Sequence, residues 1–298
     1  MLLKEEMHFS DVVVEHIDDQ QFKNNDVRLN VLRLDKIHPV VSGNKWFKLK
    51  YYLQQAVEEK YASVATFGGA FSNHILAAAY ACNKLHIKSI GFIRGEEPQH
   101  YSQTLLDAQA LGMQLEFVSR EAYQNKREII QSNDELYFIP EGGYGSTGVK
   151  GAKEITQLVT DLSTYNYIVC AVGTGTMLSG IILNAFPQQE CIGISVMKNN
   201  LSLQEEINSL LNSKDRGKFK LLHNYHFGGY AKHTTALIDF MNYMWAEHYL
   251  PLDFVYTAKA LFAVYDLLKK KYFKPTSKIL FIHSGGLQGN RSLKKRTL

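Results

Sequence analysis

The sequence predicts an α/β fold made of two open, twisted domains with largely parallel sheets. Short apolar segments recur along the chain, and each runs into a glycine-containing turn and then a helical stretch. Continuous apolar strands that alternate with helices are typical of parallel sheets covered on both faces. The strands predicted in this way are 62–67, 89–93, 115–118, 167–172, 191–196 and 278–283.

The segments that follow these strands and turns are amphipathic or apolar stretches of helical length. They predict helices over 46–60, 72–85, 102–111 and 120–130, and a further helix that begins at Met177. Residues 137–151 differ in composition, because four glycines and a proline lie between Phe138 and Lys150. Such a segment indicates a crossover between two α/β lobes.

The composition excludes several classes of protein. Of 298 residues, 45% are hydrophobic and 21% are charged, which rules out a disordered chain. No window of about 18 residues lacks charged and strongly polar groups, so no membrane span is predicted. The net charge of +4 equals the four basic residues of 291–298, a segment without acids, so residues 1–290 are formally neutral. We expect no nucleic-acid partner, since a broad basic face is missing, and we interpret the basic end as frayed.

The cysteines and the first residues bear on the cellular compartment. Cys82, Cys170 and Cys191 lie far apart within apolar runs, which predicts buried free thiols. They lack the paired spacing of a zinc site, so no metal is expected. The start of the chain, MLLKEEMHFSDVVV, has two early glutamates and no apolar core of a signal peptide. We therefore expect a cytoplasmic protein.

A glycine-rich turn after one of the strands is a candidate binding site. Gly173, Thr174, Gly175 and Thr176 lie between an apolar strand and a helix, where free N–H groups and two hydroxyls suit a phosphate. A dinucleotide fingerprint fails because position 178 is Leu, and the Gly-Lys-Ser/Thr of a P-loop is also missing. A tight turn without a ligand remains the alternative.

Two further segments combine polar and aromatic residues. In GGAFSNH, Ser72 is either the N-cap of a helix or part of an anion site, and both interpretations use the same N–H groups. His74 is either an ordinary helix residue or a catalyst. In SGNKWFKLK, Lys45 precedes two aromatic residues that would lower its pKa, as Schiff-base chemistry requires, although most lysines are solvated.

Six segments together resemble a known family. They are, in chain order, SGNKWFKLKYYL, FGGAFSNH, IPEGG, VGTGTMLSG, DFVYTAK and IHSGG. These segments and their order resemble the 1-aminocyclopropane-1-carboxylate deaminase and D-cysteine desulfhydrase family. Its members are pyridoxal-phosphate enzymes of fold type II, the tryptophan-synthase-β type. The resemblance runs from about Gly43 to Gly286. It implies pyridoxal 5′-phosphate as cofactor and a small amino acid as substrate.

The resemblance implies which residues bind the cofactor. Lys45 matches the lysine that forms the Schiff base with the cofactor. Once this lysine is released from the Schiff base, it carries the Cα proton of the substrate. Asn73 matches the asparagine that contacts the cofactor's 3′-oxygen. Lys48 would approach the phosphate or lie on a solvated face. The phosphate loop would consist of Gly173, Thr174, Gly175 and Thr176.

The substrate would meet a second set of residues. By the same resemblance, Ser72 and His74 flank Asn73 where the family binds the substrate carboxylate. Tyr230, in FGGYAKH, and Tyr256, in FVYTAK, match tyrosines that lie near the reacting carbons.

The residue after Tyr256 bears on the choice of substrate. At the segment that begins with Tyr256, typical deaminases of the family have the pattern Tyr-Glu-Gly-Lys. A carboxylate beside the pyridine nitrogen of the cofactor raises the pKa of that nitrogen. This chain has a neutral Thr257, and Ser284 is a second hydroxyl that could reach the same nitrogen. Loss of a thiolate needs a weaker electron sink than opening a cyclopropane. We therefore favour α,β-elimination from D-cysteine over deamination of 1-aminocyclopropane-1-carboxylate, with a dehydrogenase or a non-catalytic binding protein as rival classes.

The resemblance also implies the domain organisation. Residues 1–46 and 148–298 would form a large cofactor-binding domain, and residues 47–147 a small domain that carries Ser72 and closes over the substrate. Such enzymes are commonly homodimers, so we expect a homodimer.

Overall fold

The fold contains two separate β-sheets, each covered by helices. A computed structural model describes residues 3–293. Within that range the strands are β1 (Val14–Ile17), β2 (Arg28–Arg33), β3 (Ser63–Gly68), β4 (Lys88–Arg94), β5 (Met113–Val118), β6 (Tyr137–Ile139), β7 (Tyr167–Val172), β8 (Glu190–Ser195), β9 (Phe219–Leu222) and β10 (Lys278–His283).

Most of the α-helices bury apolar side chains in the core. In the first long helix, for example, Trp46, Leu49 and Leu53 recur at helical spacing and are at most 1% exposed. The α-helices of the described residues are α1 (Gln20–Lys23), α2 (Asn44–Glu58), α3 (Asn73–Lys84), α4 (Gln103–Ala110), α5 (Arg120–Gln124), α6 (Lys126–Gln131), α7 (Ser146–Ala152), α8 (Thr176–Ile182), α9 (Leu203–Ser209), α10 (Thr235–His248) and α11 (Thr257–Lys269).

The larger sheet has six strands in the order β1-β2-β10-β7-β8-β9. Strand β1 is antiparallel to β2, whereas the other neighbours are parallel. Every residue of β7, YIVCAV, is buried, as expected for a central strand with helices on both faces. Because β7 and β10 are parallel neighbours, the turns that follow them, at Gly173 and Ser284, lie at the same edge of the sheet.

The smaller sheet has four parallel strands in the order β5-β4-β3-β6. On one face Phe67 stacks on Phe92 and Phe138, with 5.4 and 5.7 Å between the ring centroids. Strand β3 ends at Gly68, and α3 begins shortly after it at Asn73. The start of α3 therefore lies at the carboxyl end of this sheet.

The first residues of α2 are fixed against the end of β10. Gly43 has a φ of +64°, and a Cβ there would lie 1.8 Å from the Ser284 carbonyl oxygen. The Asn44 N–H donates to that same oxygen at 3.2 Å. Only glycine permits this approach, because any side chain would collide with the backbone. The turn before α2 therefore brings Lys45 to the edge of the large sheet.

The predicted strands and helices are largely confirmed, with ends displaced by a few residues. The predicted helix over 120–130 is wrong in one respect, because Asn125, with φ −102° and ψ 56°, separates it into α5 and α6. Residues 137–139, which we interpreted as part of a crossover, form β6 and pair in parallel with β3. No element was predicted at β1, β2 and β9, nor at α1, α7, α9, α10 and α11.

The predicted frayed end is wrong at Arg291. This residue lies in a 3-10 turn, Leu287–Ser292, and its guanidinium pairs with the Asp107 carboxylate on α4 at 2.6 Å. The remaining basic residues of the tail, Lys294, Lys295 and Arg296, lie outside the described residues.

Three other expectations concern the chain as a whole. The three cysteines are buried and free, as predicted. Among the residues that the structure describes, no helix has the length and apolar character needed to cross a membrane. The division into residues 1–46 plus 148–298 and 47–147, the cytoplasmic location and the homodimer stay predictions.

Candidate active site

A cavity of about 160 Å³ lies where the carboxyl ends of β7 and β10 face the carboxyl end of β3. This is the edge at which open α/β sheets bind ligands. The cavity brings together residues from segments that are far apart in the sequence. The predicted site residues that line it are Lys45, Ser72, Asn73, His74, Gly173, Thr174, Gly175, Tyr230, Tyr256 and Ser284.

Lys45 lies in the first turn of α2 and lines the cavity. Its Nζ donates to Asn44 Oδ1 at 2.7 Å and lies 5.9 Å from the centroid of the Tyr256 ring. Removal from bulk water lowers the pKa of Lys45 to about 8, and the Asp253 carboxylate opposes this shift. Far more of this amine is therefore neutral at pH 7 than of an ordinary lysine.

Lys48 lies one turn further along α2 and contacts the turn after β7. Its Nζ donates to the Gly142 carbonyl at 3.0 Å and to Thr174 Oγ1 at 3.3 Å, and the Thr174 and Thr176 hydroxyls are 3.1 Å apart. Burial, with a contribution from Lys45, holds the pKa of Lys48 well below its usual value. Because Lys48 is only 5% exposed, its assignment to a solvated face is wrong. An amine and two hydroxyls beside a glycine turn suit a phosphate.

The start of α3 supplies three polar side chains. Ser72 occupies the N-cap position, yet its side chain makes no capping hydrogen bond, so the hydroxyl is available to a ligand. Asn73 Oδ1 is buried and has no hydrogen-bond partner among residues 3–293. His74 Nε2 lies 2.8 Å from Thr66 Oγ1. Burial, and then the charges of the two lysines of α2, lower the pKa of His74 to about 3, so its ring is neutral.

Tyr230 and Tyr256 meet edge to face, with 6.1 Å between their ring centroids. Tyr256 directly precedes α11, and Tyr230 lies in the loop before α10. Burial raises the pKa of Tyr230, and burial together with the neighbouring Tyr230 raises that of Tyr256 well above its usual value. Both phenols are therefore protonated at neutral pH and can donate a proton.

The structure separates the two hydroxyls that we predicted near the pyridine nitrogen. Ser284 follows β10 and lines the cavity. Thr257 is fully buried, and its Oγ1 donates to Asp253 Oδ1 at 2.7 Å and accepts from the Asp253 N–H at 2.8 Å. Neither Thr257 nor the fully buried Thr176 lines the cavity. Ser284 is therefore the hydroxyl that can reach a ligand.

Asp253 is a residue next to the site that the sequence analysis missed. It is fully buried, and its carboxylate accepts from the N–H groups of Val255, Tyr256 and Thr257 at 2.8–2.9 Å as well as from the Thr257 hydroxyl. Burial raises the pKa of the Asp253 carboxyl above its ordinary value, and the four donors aimed at its two oxygens oppose that shift. The signal was an acidic residue inside an apolar run, four positions before a helix begins.

Two charged residues at the carboxyl edge of the small sheet also line the cavity. Arg94 is the last residue of β4, and its guanidinium carbon lies 6.0 Å from the centroid of the Tyr123 ring. Glu141, in the turn after β6, pairs with Lys126 at 2.6 Å. Both lie at the carboxyl ends of strands, which was the signal that could have identified them.

Comparison with known proteins decides the family. The sequence profile described as "Pyridoxal-phosphate dependent enzyme" matches residues 20–285. The chain belongs to this family. The fold type, the enzyme class and pyridoxal phosphate as cofactor are thereby confirmed.

Individual relatives are similar over most of their length. A putative 1-aminocyclopropane-1-carboxylate deaminase of Thermotoga maritima is 30% identical over 284 residues, which cover 87% of this chain and 88% of the relative. The mitochondrial bifunctional D-cysteine desulfhydrase/1-aminocyclopropane-1-carboxylate deaminase of Arabidopsis thaliana is 28% identical, with 89% and 74% covered. The crystal structure of an ACC deaminase homologue superposes with a TM-score of 0.81 at 25% identity, covering 94% of this chain and 90% of the homologue.

The residues around the cavity fit pyridoxal phosphate. The buried Asn73 Oδ1 has no partner within the described part of the chain, which a bound polar group can supply. A Cβ at Gly286 would lie 2.8 Å from Asn73 Nδ2, and one at Gly142 would lie 2.9 Å from Thr174 Cγ2. Glycine at these two positions keeps the polar groups accessible to a flat ring and its phosphate.

Proposed function

We propose that the chain catalyses α,β-elimination from a small amino acid, converting D-cysteine and water to pyruvate, hydrogen sulfide and ammonia. The observation that carries this proposal is Lys45, an amine in the cavity with its pKa lowered to about 8 and the protonated Tyr256 phenol beside it. An elimination needs a base at one carbon and an acid at the leaving group. The name of the similar plant protein, which includes D-cysteine desulfhydrase, supports this substrate class.

Four features of the cavity would bind the cofactor. Bound pyridoxal phosphate supplies an electron sink that makes the Cα proton of an amino acid acidic. Lys45 would hold it covalently, and Asn73 would contact the oxygen on its ring. Lys48 and the turn at 173–176 would bind the phosphate, because they offer an amine, hydroxyls and free backbone N–H groups.

The base of the proposed elimination is Lys45. Only a neutral amine can accept the Cα proton, so its pKa sets the active fraction. With a pKa of about 8, roughly a tenth of the lysine is neutral at pH 7, compared with less than about a thousandth at the usual value. Burial in the cavity thus prepares Lys45 for proton transfer.

The acid of the proposed elimination is one of the paired phenols. When the Cβ–S bond breaks, sulfur leaves with the bonding electron pair as hydrosulfide. A protonated phenol within the cavity can donate a proton to it. Tyr256 and Tyr230 both suit this role, since burial keeps both protonated at neutral pH.

The substrate carboxylate would bind at the start of α3. The Ser72 hydroxyl makes no capping bond, and the first N–H groups of a helix have no partner within the helix. His74 would contribute shape rather than charge at this position. Its ring is neutral and its Nε2 already bonds Thr66, so recognition of the carboxylate falls to Ser72 and the N–H groups.

Deamination of 1-aminocyclopropane-1-carboxylate is the second candidate, and the names of the similar proteins favour it. Opening a cyclopropane has no good leaving group and needs a strong electron sink. Among the described residues that line the cavity, Glu141 is the only carboxylate, and Lys126 pairs with it. Ser284, which would contact the pyridine nitrogen of the cofactor, is neutral, and this supports the reaction with the better leaving group.

Product analysis tests this choice. The protein loaded with pyridoxal phosphate should release sulfide and pyruvate from D-cysteine faster than 2-oxobutanoate from 1-aminocyclopropane-1-carboxylate. L-cysteine tests the stereochemical preference, and Lys45→Ala is the control for uncatalysed release. Release of 2-oxobutanoate alone would overturn the proposed substrate in favour of the second candidate.

A further inference from the structure

Lys259 is a second buried lysine that the proposed reaction does not use. It lies in the first turn of α11, is fully buried, and does not line the cavity. Its Nζ donates to the His226 carbonyl at 2.9 Å and to the Gly229 carbonyl at 2.7 Å. Both acceptors belong to the loop that precedes α10, so one ammonium group connects that loop to α11.

The loop at 226–231 has an uncommon backbone. Phe227 and Ala231 have φ values of +50° and +52°, and Gly228 and Gly229 have +95° and +122°. Residues with side chains rarely adopt positive φ, so hydrogen bonds and packing have to hold this conformation. Two backbone bonds of the loop contribute, from the Gly229 N–H to the His226 carbonyl at 3.0 Å and from the Lys232 N–H to the Gly229 carbonyl at 3.2 Å. Lys259 adds two contacts from outside the loop, to the same two carbonyls. Packing supplies another, since the Phe227 ring meets Phe262 of α11 edge to face at 5.0 Å.

Burying this ammonium group has an energetic cost. Desolvation lowers the pKa of Lys259 to about 8, and the Asp253 carboxylate opposes that shift. Asp253 lies four residues before α11, and Lys259 lies in the first turn of that helix. The Asp253 carboxylate accepts from the Tyr256 N–H and so fixes the backbone of Tyr256. Lys259 fixes the loop that carries Tyr230. The two members of the tyrosine pair thus depend on the same short segment.

We propose that Lys259 is a positioning residue, which holds the loop at 226–231 so that Tyr230 meets Tyr256 in the cavity. Lys259 touches neither substrate nor cofactor and acts through Tyr230. The inference rests on the proposed function in one respect, namely that the elimination uses Tyr230 for proton transfer. Its structural part, the fixing of the loop, is independent of the substrate.

Hydrogen exchange tests the structural part on the protein loaded with pyridoxal phosphate. Lys259→Met keeps an unbranched side chain and removes the donors. We expect amides in 226–231 to exchange at least about tenfold faster, with other elements unchanged. The control is Lys220→Met on β9. This substitution removes a single hydrogen bond, which the Lys220 Nζ donates to the Tyr272 hydroxyl at 3.0 Å. Unchanged exchange in 226–231 of Lys259→Met would overturn the proposal.

A double-mutant cycle tests whether Lys259 acts through Tyr230. Lys259→Met should lower kcat about tenfold or more and change KM less than about threefold. In a Tyr230→Phe background the same substitution should lower kcat less than about twofold, because the positioned hydroxyl is already absent. Equal losses in both backgrounds, or a Tyr230→Phe variant with full activity, would overturn the inference. Failure of the unaltered protein to release sulfide would overturn the proposed function, while the exchange experiment would still decide the role of Lys259.

A second variant covers the case in which Lys259→Met does not fold. Gly229→Ala leaves Lys259 intact and strains the loop at a residue with φ +122°, where an added Cβ would meet no atom closer than 3.5 Å. It should show the same faster exchange in 226–231 and a loss of kcat that does not add to that of Tyr230→Phe. Faster exchange with normal kcat would contradict the link between the loop and Tyr230.

Discussion

The Thr66 hydroxyl fixes the tautomer of His74. Thr66 Oγ1 donates to the Ile139 carbonyl at 2.7 Å, so its oxygen can only accept from His74 Nε2 at 2.8 Å. The proton of the neutral ring therefore lies on Nε2, and Nδ1 carries a lone pair. His74 Nδ1 is buried without a partner within residues 3–293, which agrees with a pKa lowered to about 3.

This arrangement predicts how stability depends on pH. His74 stays neutral in the folded state down to about pH 3, whereas in the unfolded chain it takes up a proton near pH 6.5. The unfolded state therefore binds more protons between these values. We expect His74 to reduce the free energy of unfolding by up to about 2 kcal/mol between about pH 7 and about pH 5.

Urea unfolding at the two pH values measures this effect. The His74→Gln variant keeps a donor for Thr66 but has no titrating group at this position. Its free energy of unfolding should fall less steeply with decreasing pH than that of the unaltered protein. Equal slopes for the two proteins would show that His74 is not held neutral by the fold.

Gly43→Ala should destabilise the fold and displace Lys45. A Cβ at this position would lie 1.8 Å from the Ser284 carbonyl oxygen, and the φ of +64° is unfavourable for alanine. We expect a loss of more than about 2 kcal/mol in the free energy of unfolding. Gly112→Ala is the control, because Gly112 has φ +88° and nothing within 4 Å of an added Cβ. If both variants lose the same stability, the close approach to Ser284 contributes nothing.

Thr257 and Ser284 should respond differently to removal of their hydroxyls. Thr257→Val deprives Asp253 of a donor in a fully buried place, so the free energy of unfolding should fall by about 1–3 kcal/mol. Ser284→Ala removes a hydroxyl that lines the cavity and should lower activity at unchanged stability. Thermal unfolding and sulfide release distinguish the two effects. The opposite pattern, in which Thr257→Val keeps its stability but loses activity, would indicate that Thr257 contacts the cofactor after all.

Lys48→Met should weaken binding of pyridoxal phosphate. The Lys48 amine is buried beside Thr174 and has lost its water, so a phosphate would supply the missing counter-charge. We expect the dissociation constant to rise at least about tenfold, which corresponds to about 1.4 kcal/mol. Lys150→Met serves as control, because that exposed lysine lies over the Tyr51 ring outside the cavity. Absorbance titration with pyridoxal phosphate measures the dissociation constants of both variants. If Lys48→Met binds the cofactor as tightly as the unaltered protein, Lys48 does not contribute to the phosphate site.

Several residues that were identified from the sequence belong to short segments that directly follow a strand. The turn at 173–176 and the start of α3 could be predicted because each follows an apolar strand that has to end at the edge of a parallel sheet. The family resemblance then singled out Lys45 among many lysines. Its lowered pKa depends on burial in the cavity, which local sequence suggests but does not determine.

The residues that could not be identified from the sequence make their contacts with residues at other positions in the fold. Lys259 bonds carbonyls of His226 and Gly229, some thirty positions earlier, and no local pattern records that contact. Thr257 was placed near the cofactor because it follows Tyr256, yet the rotation of the first turn of α11 directs its hydroxyl to Asp253. Short strands such as β1 and β9, with four residues each, carry too little periodicity to be recognised.

The most direct test is to find which lysine holds the cofactor. Borohydride makes the reversible carbon–nitrogen link between a lysine and pyridoxal phosphate permanent, so peptide mass spectrometry can locate it. We predict the added mass on Lys45 alone, with visible absorption lost in Lys45→Ala. Attachment to Lys48 or Lys259, two buried lysines nearby, or no attachment at all, would contradict the assignment of the active site.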